Sequence, residues 1–365
     1  MKGLILAGGF GTRLRPLSCT RPKLLFPIAG RTMLEWILRK VCGSEIEELI
    51  LAVNYLSEIL EKRVGNRISD TKITYSLESK SLGTGGPVKN AEKELQNEDT
   101  FLTMNGDILA EIPLKEMLEI HSSNEAIVTV ALNKVQDPSR YGVAEFDEEM
   151  HIKRFVEKPN EKEVPSRWIN AGIYLMEPDI LKYITSGKKV SLEKEIFPVL
   201  VKEEKLYGYK LDGIWFDVGN LNDYKKANYT MIEPESKNQR LSDKGFEIND
   251  KATLVSPSVI KKGVIIGDYS EIGPNSVIGH NSDIGKSSTI KNSILFENVS
   301  IGDNARIEDS IIGGGVYIGN NVTIGRECVI SDYVEIHDGI SISNGAIICP
   351  YKEIEENISV NSHIL

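Results

Sequence analysis

The sequence predicts two domains, an α/β domain with a mostly parallel sheet followed by a parallel β-helix. Three observations carry this reading. A short buried strand near the start runs straight into a glycine-rich loop, apolar strand-like runs then alternate with amphipathic helical stretches, and beyond a polar linker an apolar residue returns every six positions.

The first element is Leu4-Ile5-Leu6-Ala7, an apolar run that reads as a buried strand, followed by Gly8-Gly9-Phe10-Gly11-Thr12-Arg13-Leu14-Arg15-Pro16 and then by Pro22-Lys23. Glycines let the backbone bend tightly and approach a ligand without Cβ interference. A turn of this kind presents N–H groups that can cradle phosphate, with Arg13, Arg15 and Lys23 supplying charge beside it. The dinucleotide pattern GxGxxG fails, because Leu14 stands where its third glycine belongs and Pro16 obstructs an immediate helix. The Walker pattern fails as well, since Gly11 is followed by Thr12-Arg13. On the glycines alone, a plain strand-to-loop turn explains the stretch equally well.

Met33, Leu34, Ile37, Leu38 and Val41 recur at helical spacing and predict a helix over 31–42. A buried strand over 48–54, a helix over 57–64 and a strand over 73–77 follow. Gly83-Thr84-Gly85-Gly86-Pro87 leads into a helix to about residue 96, with Pro87 suited to its first turn. The strand over 101–104 closes in Asn105-Gly106-Asp107, and further strands are expected at 126–132, 142–146 and 152–157. Such alternation implies parallel pairing, which places ligands at the carboxyl ends of the strands. Asp107 sits at such an end, although position alone also suits a turn aspartate. Trp215-Phe216-Asp217 repeats an acidic residue at the close of an apolar run.

The first domain is expected over 1–232 and a polar linker over 233–250, with the repeat domain over 251–365. There the apolar rungs are Leu254, Ile260, Ile266, Ile272, Ile278, Ile284, Ile290, Leu295, Ile301, Ile307, Ile312, Ile318, Ile324, Ile330, Ile336, Ile342 and Ile348. All steps are six residues except 290 to 295 and 307 to 312, which are five. A period of six fits a coil of three short strands with isoleucines stacked inside, about six coils in all. Glycine follows many rungs, as at Gly267, Gly273, Gly279 and Gly319, and is expected to serve the corners.

The chain has 365 residues, a formal charge of −10 and 26% charged residues. This balance excludes a broad nucleic-acid or anionic-membrane surface and directs phosphate binding to a local pocket. Cys19, Cys42, Cys328 and Cys349 form no CxxC pair, which favours free thiols in a reducing compartment. Glycine ends the first apolar run too soon for a secretory signal, so a cytoplasmic protein is expected. The histidines, His121, His151, His280, His337 and His363, lack metal-ligand spacing and read as solvated or packing residues.

GGFGTRLRPLS, then CTRPKLLFPIAG, resembles the sugar nucleotidyltransferase motif GGxGTRLxPLT followed by PKPL, with Ser18 and Leu24 as the departures. The resemblance implies a Rossmann-like nucleotidyltransferase domain that joins a nucleoside triphosphate to a sugar 1-phosphate and releases pyrophosphate. It assigns the nucleotide to Leu6, Ala7, Gly8, Gly9, Gly11, Thr12, Arg13, Glu78, Gly83 and Asp107, with Arg13, Lys23 and Asp107 assisting catalysis. It gives Mg²⁺ to Asp107 and Asp217, and the sugar phosphate to Gly142, Glu157, Lys158, Asn170 and Gly172. Likeness to other hexapeptide-repeat proteins implies a left-handed β-helix, with homo-oligomer assembly as its expected role.

Base choice rests on Glu78 and the following Leu82-Gly83-Thr84-Gly85-Gly86, which are similar to the segment carried by guanylyltransferases acting on mannose 1-phosphate. Guanine offers adjacent N1–H and N2–H₂ donors, which suit the two oxygens of a carboxylate. SLEKEIFP at 191–198 and NGAIICPYK at 344–352 resemble the β class of that family, although its closing Pro-Glu-Pro segment is lacking. GTP and mannose 1-phosphate are therefore the expected substrates. Thymidylyl or uridylyl transfer to glucose 1-phosphate, a non-catalytic sugar-nucleotide sensor and acyl transfer by the β-helix stand as alternatives.

Overall fold

The computed structural model describes residues 1–41, 46–54, 56–68, 70–160, 163–238 and 245–365. Cys42 and the middle of the expected linker lie outside the described residues. The chain divides into two compact units, and the division is not sequential. One unit comprises residues 1–10, 22–25 and 33–218; the other comprises 11–21, 26–32 and 219–365. The sequence reading had assigned all of residues 1–232 to the first domain.

The first unit is built on β1 (Lys2–Leu6), β2 (Glu48–Val53), β3 (Thr71–Leu77), β4 (Phe101–Asn105), β5 (Ile108–Ala110), β6 (Val128–Lys134), β7 (Gly142–Phe146), β8 (Ile152–Glu157), β9 (Trp168–Met176), β10 (Leu206–Lys210) and β11 (Trp215–Asp217). The main sheet runs β8-β7-β9-β4-β1-β2-β3, and β6 joins it by pairing with β9 and β10. β1 pairs parallel with β2 and β4, and β2 with β3. Here helical crossovers separate the strands, as the alternation predicts. β9 instead runs antiparallel to β4 and β6, and β7 antiparallel to β8. Only residues 147–151 join β7 to β8, too few for a crossover helix.

Alternation along the strands makes two cores. Leu4, Ile50 and Ala52 face one side with Val88, Leu95 and Phe197. Ile5, Leu49, Leu51 and Val53 face the other, with Leu34, Ile37 and Leu38 of α1 (Met33–Val41). α2 is Ser57–Val64. The helix expected up to residue 96 divides at Ala91, whose ψ of 17° leaves the helical region, into α3 (Gly86–Asn90) and α4 (Glu92–Leu95). α5 (Leu114–Ser123) and α6 (Phe197–Lys202) complete the unit's longer helices.

In the second unit three sheets of seven, six and seven short strands form the repeat domain. Every described neighbouring pair in them is parallel, and rung meets rung: Ile272 on Ile290, Ile290 on Ile307, Ile307 on Ile324. This is a parallel β-helix of the expected hexapeptide kind, and the rungs from Ile260 to Ile348 are 5% exposed or less. Leu254 departs from the expectation at 40% exposure, since it lies at the open start of the ladder.

The corners also differ from the sequence reading. Gly267, Gly279 and Gly319 do not carry the left-handed turns; Asn281, Asn298, Asn304 and Asn321 do, at φ between 55° and 60°. Gly273 does have a positive φ, 103°. The other rung-following glycines answer crowding between coils, as a Cβ on Gly279 would stand 2.3 Å from the Phe296 carbonyl oxygen. Short polar asparagine tolerates the left-handed region well enough to take the corner instead. α7 (Leu221–Asn238) belongs to this unit, where the Tyr229 hydroxyl donates to the Asn292 carbonyl at 2.6 Å. Among the described residues no helix is long and apolar enough to cross a membrane.

Candidate active site

At the carboxyl ends of β1, β3 and β4 the first unit opens a cleft of about 330 Å³. Of the residues expected to bind nucleotide, Leu6, Gly8, Gly9, Glu78, Gly83 and Asp107 line it. Ala7 is pinned beside them, its N–H donating to the Ala52 carbonyl at 2.8 Å. Glu78 is 8% exposed, and its Oε2 accepts the Leu82 N–H at 3.1 Å. Its Oε1 is buried with no hydrogen-bond partner among the described residues. Burial pushes the Glu78 carboxyl above its ordinary value, and the Leu82 N–H offsets only part of that. A buried acceptor left open in a cleft is a place for a ligand's N–H donors.

The segment after Glu78 is fixed from the far side of the cleft. Gly83 has φ 80°, and a Cβ there would stand 2.4 Å from the Val190 carbonyl oxygen. The Thr84 hydroxyl donates to Glu193 Oε2 at 2.6 Å, and the Ser191 hydroxyl donates to the same oxygen at 2.7 Å. Thr84 Oγ1 in turn accepts the Leu192 N–H at 2.9 Å.

Lys23 Nζ donates to Asp107 Oδ2 at 2.9 Å, and the lysine side chain is only 16% exposed. Asp217 lies beside Asp107, because β11 pairs antiparallel with β5 and the Val218 N–H donates to the Asp107 carbonyl at 2.9 Å. Two carboxylates on adjoining backbone form a hard oxygen donor set, which fits a magnesium ion shared with substrate phosphates.

The residues expected to bind sugar phosphate also come together. Gly142 pairs with Glu157 across the β7–β8 hairpin, and a Cβ on Gly142 would stand 2.8 Å from Glu157 Oε2. Burial, then the nearby charge of Glu193, pushes the Glu157 carboxyl upward. Lys158 has φ 50°, its N–H donates to the Tyr141 carbonyl at 3.0 Å, and its side chain is 65% exposed. In β9 the register breaks between Asn170 and Tyr174. There Asn170 Oδ1 accepts the Gly172 N–H at 2.9 Å, and Gly172 has φ 72°. A Cβ on Gly172 would meet Asn105 Nδ2 at 2.6 Å, so this bulge reaches the wall of the nucleotide cleft.

Gly11, Thr12 and Arg13 belong to the second compact unit. Thr12–Leu14 form one tight helical turn after Gly11, whose φ is 59°. Arg13 is exposed there.

Ser81 and Thr84, within the base-choice stretch 78–86, also line the cleft; sequence reasoning missed Asn105 as a lining residue and Glu193 as the acceptor that ties Thr84 down. Asn105 was within reach, two positions before Asp107. Asn54 was also missed; its Nδ2 is buried without a partner among the described residues. The histidines are mostly peripheral. His121 is buried against the Thr129 hydroxyl, while His151 and His337 each stand in a surface cluster with two acidic residues.

The nucleotidyl transferase family matches residues 2–233, and the family described as the GMPPB C-terminal domain matches residues 254–364. The chain is 39% identical over 249 residues to the mannose-1-phosphate guanyltransferase of Saccharomyces cerevisiae, covering 66% of this chain and 67% of that protein. It is 37% identical over 265 residues to the mannose-1-phosphate guanyltransferase of Debaryomyces hansenii, covering 71% of this chain and 72% of that one. A Bacillus anthracis crystal structure, provisionally described as a glucose-1-phosphate thymidylyltransferase in complex with sucrose, superposes with a TM-score of 0.57 at 25% identity. That match covers 63% of this chain and 94% of that one.

Proposed function

Since this chain belongs to the nucleotidyl transferase family, we propose that it joins GTP to mannose 1-phosphate, yielding GDP-mannose and pyrophosphate. A phosphate oxygen of the sugar phosphate forms the new bond to the α-phosphorus of GTP. The bond from that phosphorus to its bridging oxygen breaks, and the electron pair leaves with pyrophosphate. The attacking oxygen is already anionic, so the work of the enzyme is alignment and offsetting of charge. Lys23 and Arg13 offset the charge that grows on the departing pyrophosphate, and Lys158 binds the phosphate of the sugar. Gly142, Glu157, Asn170 and Gly172 hold the sugar.

Asp107 and Asp217 would hold Mg²⁺, which when bound draws negative charge off the triphosphate. Lys23, 2.9 Å from Asp107 Oδ2, orients that carboxylate for the task.

The base choice is carried by one observation, the unpartnered Oε1 of Glu78 buried in the cleft. Guanine N1–H and N2–H₂ offer two adjacent donors to this carboxylate, whereas uracil and thymine offer a single N3–H flanked by acceptors. The yeast relatives named mannose-1-phosphate guanyltransferase support the same substrates. Turnover of GTP, dTTP and UTP with mannose and glucose 1-phosphates, measured side by side, tests the assignment. Greater efficiency with dTTP or UTP and glucose 1-phosphate would replace it by the second reading, which the Bacillus structure favours. Inactivity with every pair would leave a sugar-nucleotide sensor. We place the enzyme in the cytoplasm as a homo-oligomer assembled through the β-helix; light scattering that gives a monomer mass would exclude the assembly.

A further inference from the structure

Residues 11–21 carry most of the glycine-rich signature, yet they are packed within the same compact unit as the β-helix. The contacts are specific. The Arg21 guanidinium donates from Nη1 to Glu297 Oε2 at 3.0 Å, while its Nη2 lies 3.0 Å from Glu297 Oε1 and 3.6 Å from Asp332 Oδ2. Its Cζ stands 4.9 Å from the centre of the Phe296 ring. The Thr20 hydroxyl donates to Asp332 Oδ2 at 2.7 Å, and the Gly314 N–H donates to Asp332 Oδ1 at 2.7 Å. A Cβ on Gly314 would stand 2.7 Å from Arg21 Nη2, so the coil is shaped around the guanidinium. Further back, the Ser331 hydroxyl donates to the Pro16 carbonyl at 3.1 Å. Glu297, Gly314 and Asp332 occupy three successive coils, so Arg21 and Thr20 are gripped by a rigid stack.

Arg21 is 8% exposed, and Asp332 is 2% exposed. Removing a guanidinium and a carboxylate from water costs much of what their attraction returns, which makes such a cluster a poor device for stability alone. It is a good device for fixing geometry, because a fork of parallel N–H donors tolerates one orientation. Leu14 and Leu17 of the same loop are fully buried, so apolar packing anchors the loop and the guanidinium fork sets its orientation. The Ser18 hydroxyl donates to the Gly11 carbonyl at 2.8 Å and the Leu14 N–H to the same oxygen at 2.8 Å, while Arg13 itself is exposed.

We propose that Arg21, gripped by Glu297 and Asp332, is a positioning residue for nucleotidyl transfer: through it the β-helix holds loop 11–21 in the form in which Arg13 serves the triphosphate. The role of Arg13 rests on the function proposed above. The β-helix is thereby a working part of the transferase and not solely an assembly module.

The experiment uses the full chain with Arg21→Ala, Arg21→Lys, Glu297→Gln and the double variant Arg21→Ala with Glu297→Gln. Loop order is read by the rate of tryptic cleavage after Arg13 in the native protein. The bonds after Arg15 and Arg21 resist trypsin because proline follows each, so cleavage after Arg13 is a clean signal and substituting Arg21 removes no competing site. Native-state cleavage follows local opening. Arg21→Ala should accelerate it about tenfold or more and lower kcat/KM for GTP by a similar factor, mainly through kcat. Arg21→Lys, which keeps the charge and loses the fork, should fall between. Glu297→Gln should reproduce part of the loss, and the double variant should be no worse than Arg21→Ala, because one clamp can be broken only once.

Retention of kcat/KM within about twofold in Arg21→Ala, measured below its melting temperature, would overturn the proposal. So would additive losses in the double variant. If Arg21→Ala fails to fold, Arg21→Lys and Glu297→Gln carry the same test. A wild-type protein idle with GTP and mannose 1-phosphate counts against the underlying reading; the clamp is then judged by cleavage after Arg13 and by whichever of dTTP and UTP supports turnover.

Discussion

Gly8 and Glu78 are fitted to each other so closely that a Cβ on Gly8 would stand 2.9 Å from Glu78 Oε1. The glycine thus leaves room for the carboxylate as well as for a ligand. Gly8→Ala should displace Glu78 and raise KM for GTP about tenfold or more, with little change in the rate of folding or in magnesium dependence. Steady-state kinetics at varied GTP check this, and an unchanged KM would show that Glu78 is not held against the loop for the nucleotide.

Glu78→Gln keeps the size and turns one acceptor into a donor. A charged hydrogen bond is worth about 1.5 to 3 kcal/mol, so kcat/KM for GTP should fall roughly tenfold to a hundredfold. An amide can meet the alternating face of uracil or thymine, so UTP and dTTP should lose less or gain. Equal proportional losses for all three nucleotides would mean that Glu78 supports the loop without reading the base.

Lys23→Ala removes the cation 2.9 Å from Asp107. Turnover should drop about a hundredfold or more, the scale of losing one preorganised charge stabiliser. Asp107→Asn and Asp217→Asn should raise the magnesium concentration needed for half-maximal rate. Normal magnesium titrations in both aspartate variants would remove the metal from this pair.

His121 is 1% exposed, and burial lowers its pKa from 6.5 to about 4. The neutral form is the folded form, so the stabilisation is full above pH 6.5 and drains away as the pH falls towards 4. A loss of roughly 2 to 3 kcal/mol across that window is expected, and His121→Gln should flatten it. Urea unfolding at several pH values measures the slope; identical slopes in wild type and variant would assign the acid sensitivity to other groups.

Parts of this architecture could be seen in the chain because they are local or periodic. The isoleucine ladder declares itself, since every rung from Ile260 to Ile348 is a core position. Glu78 and Leu82 stand four residues apart, so the bend between them was within view. The clamp was not: Arg21 and Glu297 are 276 positions apart, and nothing in either neighbourhood marks the other. The same holds for Thr84 and Glu193, joined across 109 positions. Nor does spacing reveal that asparagines at 281, 298, 304 and 321 turn corners while the glycines at 267, 279 and 319 make room between coils. Both residue types punctuate loops, and only the packing of one coil on the next separates their tasks.

Deletion of residues from 251 onward looked from the sequence like a loss of assembly more than of chemistry. It also strips Arg21 and Thr20 of Glu297 and Asp332. The truncated protein should therefore be cleaved faster after Arg13 and turn over more slowly than any variant that merely abolishes association.

The ladder has a further consequence for length. Ile272 lies beneath Ile290, a coil of 18 residues, whereas Ile278 lies beneath Leu295, a coil of 17. The missing residue is absorbed at one corner, and the following rungs are back in step. The β-helix thus counts in two denominations, a single residue lost at a corner or one entire turn. An engineered removal of residues 291–307, one complete turn, should leave a shorter ladder that still stacks, whereas removal of half as many should put apolar rungs onto the surface and the protein into aggregates.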